Sequence, residues 1–220
     1  DSNYAMYIMK KQNYDISCLI TLKSKNKDSF MFHTPNINLV KVQSKCLQIP
    51  LILQETKGEK ELELKDLEKA ILKAIKVYKI EGIVTGALFS DYQRSRIESI
   101  TDKLGLKLFS PLWHKYQEQE MKELIDNKFE FIFTKVAAGG LNKSWLNRVI
   151  TYKDLNELIK LNKKYGLNIS GEGGEFESLV LSCPLFKKKI QILDGKIEME
   201  NENTGIYIIN KTELIDKKVF

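Results

Sequence analysis

Two kinds of apolar spacing take turns along the first two-thirds of this chain, and the alternation limits the folds open to it. Residues 16–22, 51–53, 82–86 and 107–109 are short apolar runs bounded by turn formers, the mark of strands. Between them the apolar residues fall three or four apart. Tyr4, Ala5, Ile8 and Met9 do so within residues 2–11, and Leu64, Leu67, Ile71, Ile75 and Tyr78 within residues 62–78. Residues 36–47, approached through Thr34-Pro35, and residues 92–104 complete the helices. Helices alternating with strands across short loops predict an α/β domain on an open, mostly parallel sheet flanked by helices. A helix that opens at Asp1-Ser2 with no strand ahead of it, and no initiator Met, further predicts that a strand and a loop precede this sequence in the natural chain.

A second region starts near Pro111-Leu112-Trp113, with a helix at 118–127, a strand at 129–136 and a helix at 153–165. The tail carries short runs at 179–181, 189–193, 196–199 and 206–209 that suit antiparallel strands, with Asp194-Gly195 as a hairpin turn. The expected organisation is thus a nucleotide-binding type of α/β domain over 1–110 and a smaller C-terminal α+β domain over 111–220. At 220 residues and 43% apolar the chain can bury a substantial core.

Charge excludes little. Lys+Arg 35 against Asp+Glu 29 leaves +6, but Lys57, Lys60, Lys65, Lys69, Lys73, Lys76 and Lys79 are interleaved with acids, as on a solvated helix face. Lys187-Lys188-Lys189 is the one tight basic run and suits a solvated edge. Cys18, Cys46 and Cys183 lie far apart without a CxxC, which predicts reduced, packed thiols and argues against a zinc or iron–sulfur site. No apolar segment has the length of a membrane span and no signal peptide is evident, so the expected location is cytoplasmic.

The residues most suggestive of chemistry are Gly171-Glu172-Gly173-Gly174-Glu175-Phe176-Glu177-Ser178. Three acids this close repel one another unless solvated or facing a cation, a metal or a proton-bearing substrate. The glycines allow a close approach of the backbone to another group. The plain alternative is an acidic surface turn. Gly86-Ala87-Leu88-Phe89-Ser90-Asp91-Tyr92-Gln93-Arg94-Ser95-Arg96 follows a strand end, where open α/β sheets bind ligands. Gly86 would admit a ligand close to the backbone, and Tyr92, Gln93 and Arg96 could face phosphate, or Ser90 and Asp91 could simply cap a helix. Asp1-Ser2 is either an ordinary helix cap or the end of a phosphate-binding loop. His33 suits packing as well as binding, and His114 a surface position. Lys135 ends a strand before Ala137-Ala138-Gly139-Gly140, where it could meet a phosphate. Ser144-Trp145-Leu146 with Arg148 suits a turn that anchors a loop by burying the indole or, the favoured reading, plain core packing.

Several of these segments together resemble one family. Asp1-Ser2 resembles the end of the Ser-Gly-Gly-Lys-Asp-Ser loop of the N-type ATP pyrophosphatases. Phe32-His33-Thr34-Pro35-Asn36, Thr85-Gly86-Ala87, Ser90-Asp91-Tyr92-Gln93-Arg94 with Arg96, and Pro111-Leu112-Trp113 fit the same group. Gly171-Glu172-Gly173-Gly174-Glu175-Phe176-Glu177 is the most specific match, and over essentially its whole length the chain is similar to the archaeal-type diphthine–ammonia ligases, the diphthamide synthetase family.

The resemblance implies a HUP-type (adenine nucleotide alpha hydrolase-like) fold. It implies ATP-dependent amidation of diphthine on translation elongation factor 2, through an acyl adenylate that ammonia attacks, with AMP and pyrophosphate released. It implies ATP, Mg²⁺ and ammonium as participants. Asp1 and Ser2 would touch the phosphates, Asp1 with the Mg²⁺. Leu22, Lys23, Ser24, His33, Gly86, Ala87, Leu88, Tyr92, Gln93, Lys135, Gly173 and Gly174 would border the nucleotide or its phosphates. Arg96 would face the reacting groups. Glu172, Glu175 and Glu177 would attract ammonium, receive its proton or bind the trimethylammonium of diphthine.

The Ser-Gly-Gly-Lys part of the loop does not occur in the sequence, so a molecule that truly began at Asp1 is expected to bind ATP weakly or not at all. The chain looks like the minimal ligase, without the translation-initiation-inhibitor-like domains of longer eukaryotic members. The competing readings are a related ATP pyrophosphatase that modifies tRNA and a non-catalytic nucleotide-binding module. Pairing with a second copy as a homodimer is left open.

Overall fold

The computed structural model describes residues 1–24, 36–57, 59–88 and 91–217, and the chain divides into two units, Asp1–His114 and Lys115–Phe220. The first unit runs α1 (Ser2–Lys11), β1 (Leu19–Ser24), a 3-10 turn (Ile37–Leu39), α2 (Val40–Leu47), β2 (Leu51–Thr56), α3 (Lys60–Tyr78), β3 (Gly82–Val84), α4 (Asp91–Lys103) and β4 (Lys107–Phe109). This is a mixed α/β unit with parallel pairing, β1 on β2 and β3 on β4. Among the described residues the pairs form two separate two-stranded sheets rather than one continuous sheet.

Two local expectations shift for identifiable reasons. β1 begins at Leu19, not at Ile16, because its partner begins after Pro50: the Leu19 amide donates to the Pro50 carbonyl at 2.8 Å and the ladder opens at Leu19↔Leu51. Asn36 does not start a helix. It sits at φ +63°, a left-handed conformation that asparagine tolerates, and the α-helix begins four residues later.

The core of this unit explains the spacing of α3. Leu67 and Ile71 pack with Leu22 and Ile100, joined by Ile20, Ile83, Ile97 and Leu106, so one cluster ties β1, β3 and α4 to the helix. Ala70 and Ala74, one turn apart, let the same helix approach Ile52 closely.

The second unit contains α5 (Gln117–Asp126), β5 (Glu130–Ala137), a 3-10 turn (Lys143–Trp145), α6 (Tyr152–Tyr165), β6 (Phe176–Ser182), β7 (Lys188–Asn201) and β8 (Thr204–Asp216). Its sheet has the order β6-β5-β8-β7 and is antiparallel. Trp145 is 1% exposed and stacked 6.0 Å from Phe133, with the Arg148 guanidinium 4.1 Å from the indole centroid. Arg148 also pairs with Asp154 at 3.0 Å, while Asp154 accepts from the Thr151 amide and hydroxyl and closes the capping box of α6. The indole is thus packed into the core of this unit.

The expected hairpin at Asp194-Gly195 is wrong. Residues 188–201 form one long strand, and Asp194-Gly195 is a bulge where the register with β8 slips. Gly195 is there for space, since a Cβ would lie 2.7 Å from the Tyr207 hydroxyl oxygen and 2.8 Å from the Ile208 carbonyl. The reversal is at Glu202-Asn203, where the Asn203 amide donates to Asn201 Oδ1 and its own Oδ1 accepts from the Gly140 amide. Lys188 and Lys189 open β7 with ion pairs to Asp216 and Glu130. The three cysteines are not joined in disulfides; Cys46 and Cys183 are buried and Cys18 is half-buried. Among the described residues no helix is long and apolar enough to cross a membrane.

Candidate functional site

In the N-terminal unit the candidate residues gather where β3 ends and α1 begins. Past Val84, the Thr85 amide donates to the Phe109 carbonyl at 2.9 Å, and the Thr85 hydroxyl accepts from the Ala87 amide at 3.2 Å. This turn presses Gly86 onto the first turn of α1. A Cβ on Gly86 would lie 2.5 Å from the Ser2 nitrogen and 2.7 Å from the Asp1 carbonyl carbon. Only glycine fits such an approach. Asp1 and Ser2 are exposed there, at a helix end whose amides and dipole favour anions, and the Asp1 side chain makes no capping bond.

The other residues are placed unequally. Lys23 and Ser24 are half-buried at the C-terminal end of β1, while Leu22 is turned into the core. Ala87 and Leu88 are buried, and the Leu88 carbonyl accepts from the His114 amide at 2.9 Å. Tyr92 and Gln93 lie in the first turn of α4, with Arg96 half-buried one turn on. Arg94 stacks 4.5 Å from the Trp113 ring and so fixes the Pro111-Leu112-Trp113 turn. His114 is exposed at φ +57°. His33, with Phe32, Thr34 and Pro35, and Phe89-Ser90 lie outside the described residues.

In the C-terminal unit the acidic loop is a built turn. The Gly171 amide donates to the Asn168 carbonyl, and the Gly174 amide to the Gly171 carbonyl at 3.0 Å. Gly171 at φ +81° leaves its missing Cβ 2.7 Å from the Phe176 ring, and that ring stacks 3.8 Å from Phe133 in the core. Glu175 folds back under Gly173: its Oε1 accepts from the Asn168 amide at 3.0 Å, while Oε2 is buried with no hydrogen-bond partner. Gly173 and Gly174 are exposed at the tip. Glu177 stands opposite Lys135 in the β5–β6 pairing; burial raises its carboxyl above the ordinary range and the Lys135 charge opposes the rise. Lys135 thus has a carboxylate neighbour in its own unit.

The structure adds a residue that sequence reasoning missed. Glu120, on α5, is 0% exposed, and neither carboxylate oxygen has a hydrogen-bond partner. Burial pushes its carboxyl up to about 7; Glu172 and Glu123 add to the rise and Lys115 opposes it. Gln117, one turn earlier on α5, accepts from the Ile169 amide at 2.9 Å and ties the helix to the acidic loop. The only signal in the sequence is register: Glu120 sits four residues before buried Leu124 and beside buried Met121, on the helix's apolar face.

A carboxyl that is more basic folded than unfolded destabilises the fold as it ionises. The loss begins near the ordinary value of about 4.3 and is complete just above 7. Glu120→Gln removes that penalty, so its stability relative to the parent is expected to rise by roughly 2–3 kcal/mol between about pH 5 and about pH 8. Urea midpoints at the two pH values measure this, and equal differences at both would remove the buried-charge account.

Against known proteins, residues 1–108 match the family model of the diphthamide synthase N-terminal domain and residues 116–215 that of the C-terminal domain. A diphthine–ammonia ligase of Schizosaccharomyces pombe is 33% identical over 202 residues, covering 86% of this chain and 33% of the relative. One of Mus musculus is 32% identical over 220 residues, covering 91% of this chain and 82% of the relative. One of Homo sapiens is 32% identical over 216 residues, with 90% and 80% covered. The chain therefore spans a third of the fission-yeast relative and about four-fifths of the mammalian ones.

Proposed function

This chain belongs to the diphthamide synthase family, and from that premise we propose that it is a diphthine–ammonia ligase, an enzyme that uses ATP to convert diphthine to diphthamide on translation elongation factor 2. A carboxylate is a poor acyl donor because the oxygen it would expel is a poor leaving group. Adenylation replaces that oxygen by AMP, with pyrophosphate released, and ammonia then displaces AMP to leave the amide. The protein has to hold ATP, place the carboxylate and supply neutral ammonia.

The observation that carries the reading is the approach of Gly86 to the Asp1-Ser2 end of α1. It supports a backbone-lined anion site at a strand end, as the HUP-type fold implied by the resemblance would have. Asp1 and Ser2 would contact the phosphates. Lys23, Ser24, Gly86, Ala87 and Leu88 would border the nucleotide, and Tyr92, Gln93 and Arg96 would face the phosphates or the substrate. Mg²⁺ on a triphosphate takes most of its oxygens from phosphate and water, so one exposed carboxylate, Asp1, fits its needs; bound there, Mg²⁺ would offset phosphate charge. In the C-terminal unit, Glu172, Glu175 and Glu177 supply negative charge for the cationic substrates, with Glu177 balanced by Lys135. Such a protein works in the cytoplasm, where its elongation-factor substrate is. Relatives named as ligases do not favour tRNA modification or a silent nucleotide-binding role.

The test uses the full-length protein with ATP, Mg²⁺, ammonium and diphthine-bearing elongation factor 2. Mass spectrometry of the modified histidine peptide is expected to show acid converted to amide, dependent on ATP and accompanied by AMP. No conversion of a competent substrate would overturn the reading.

A further inference from the structure

We propose that Glu120 and Glu172 form the ammonium subsite, a carboxylate pair that binds the co-substrate and keeps its proton. The proposal rests on the ligase reading and assigns one site within it. Two observations converge. Glu120 is wholly buried with both oxygens unpartnered, an arrangement that leaves two strong acceptors without donors. Glu172, half-buried in the acidic turn, lies close enough to act on Glu120 by charge, and Gln117 fastens the helix carrying Glu120 to the segment that leads into that turn.

The chemistry selects the ligand. Ammonium is small and carries four N–H donors, so it can meet carboxylate oxygens by charge-assisted hydrogen bonds. The trimethylammonium of diphthine is bulky and has no N–H, so it would leave the oxygens of Glu120 unsatisfied. A metal ion suits the donors less well, because among the described residues no three His, Cys, Asp or Glu side chains are grouped as ligands.

The step balances simply. An N–H bond of ammonium breaks, its electron pair stays on nitrogen, and the proton passes to the carboxylate pair. Glu172, the less buried member, is the one that ammonium meets, and Glu120, the fully buried one, stores the proton. Neutral ammonia, with a free lone pair, is what the acyl adenylate requires. Two carboxylates that act on each other by charge share one proton readily, because the second negative charge raises the affinity for it. Glu123, on the same helix, is already paired with Lys115 at 2.7 Å and acts on Glu120 more weakly than Glu172 does.

The experiment compares the full-length protein with its Glu120→Gln, Glu172→Gln and Glu123→Gln variants on diphthine-bearing elongation factor 2. Three rates are read: ATP–pyrophosphate exchange without ammonium, amide formation against added ammonium chloride, and hydroxamate formation with hydroxylamine, which is neutral at neutral pH and needs no deprotonation. Glu120→Gln is expected to keep exchange and hydroxamate formation within about two-fold of the parent. Its amide formation is expected to fall about 100-fold at fixed ammonium. Glu172→Gln, at a half-buried position, is expected to show the same split, and Glu123→Gln to match the parent.

An unchanged ammonium response in either of the first two variants overturns the assignment while the ligase reading stands. So does loss of hydroxamate together with amide, which marks a merely structural role. A parent protein without diphthine-dependent exchange brings down the ligase reading itself, and this assignment with it.

Discussion

Glu175→Gln is expected to lower amide formation by about 10²–10³-fold while leaving ATP binding and ATP–pyrophosphate exchange near the parent level. The substitution is close to isosteric. A glutamine carbonyl can still accept from the Asn168 amide, so the fold-back under Gly173 is kept. What changes is the other arm: Oε2, buried and without a partner, becomes an NH₂ that donates where a carboxylate accepted. A loss confined to the amide-forming half of the reaction would place the carboxylate at that step. Full activity would remove Glu175 from the centre of the site. A parallel fall in exchange would mean that it only shapes the loop. Thermal melts of the two proteins close the comparison, since a correctly folded variant with a lost half-reaction cannot be attributed to unfolding.

Gly86→Ala is expected to weaken ATP binding by at least about ten-fold, through geometry alone. The added methyl would lie 2.5 Å from the Ser2 nitrogen and 2.7 Å from the Asp1 carbonyl carbon. Non-bonded heavy atoms settle at about 3.5–4.0 Å, so the start of α1 or the turn after β3 must move by about 1 Å. Both neighbours are backbone, and neither can rotate away as a side chain would. The displaced helix end is the one whose amides would hold phosphate, so affinity falls before stability does. Calorimetric titration of ATP measures this. Gly139→Ala is the control, because a Cβ there meets only the Tyr165 ring at 3.8 Å or more. Equal ATP affinity in parent and Gly86→Ala would show that the anion site lies elsewhere.

Most elements were legible in the sequence because their signals are local. Ser2–Lys11 and Lys107–Phe109 have the bounds that spacing predicts, and α3 carries its apolar residues on the faces that pack against Leu22 and Ile52. Misreadings arose where a distant partner decides. The start of β1 depends on Pro50, some thirty residues on, and the run at Asp194-Gly195 has the composition of a turn but the pairing of a bulged strand. A dipeptide cannot report that Tyr207 will lie across it.

The candidate site divides in the same way. The amino-acid sequence by itself determined which residue types are clustered: the glycines and carboxylates of 171–178, the Gly86 turn, and the helix end at Asp1-Ser2. Those clusters are contiguous, and contiguity survives folding. Only the tertiary structure decided that Gly86 touches Ser2, that Lys135 stands opposite Glu177, and that Glu120 is buried near Glu172 with its oxygens unpaired. Burial and charge neighbours set the chemistry of a carboxyl, and both come from segments far apart in the chain. A glutamate among Gln117, Glu118 and Gln119 looks like one more solvated side chain until the helix is packed.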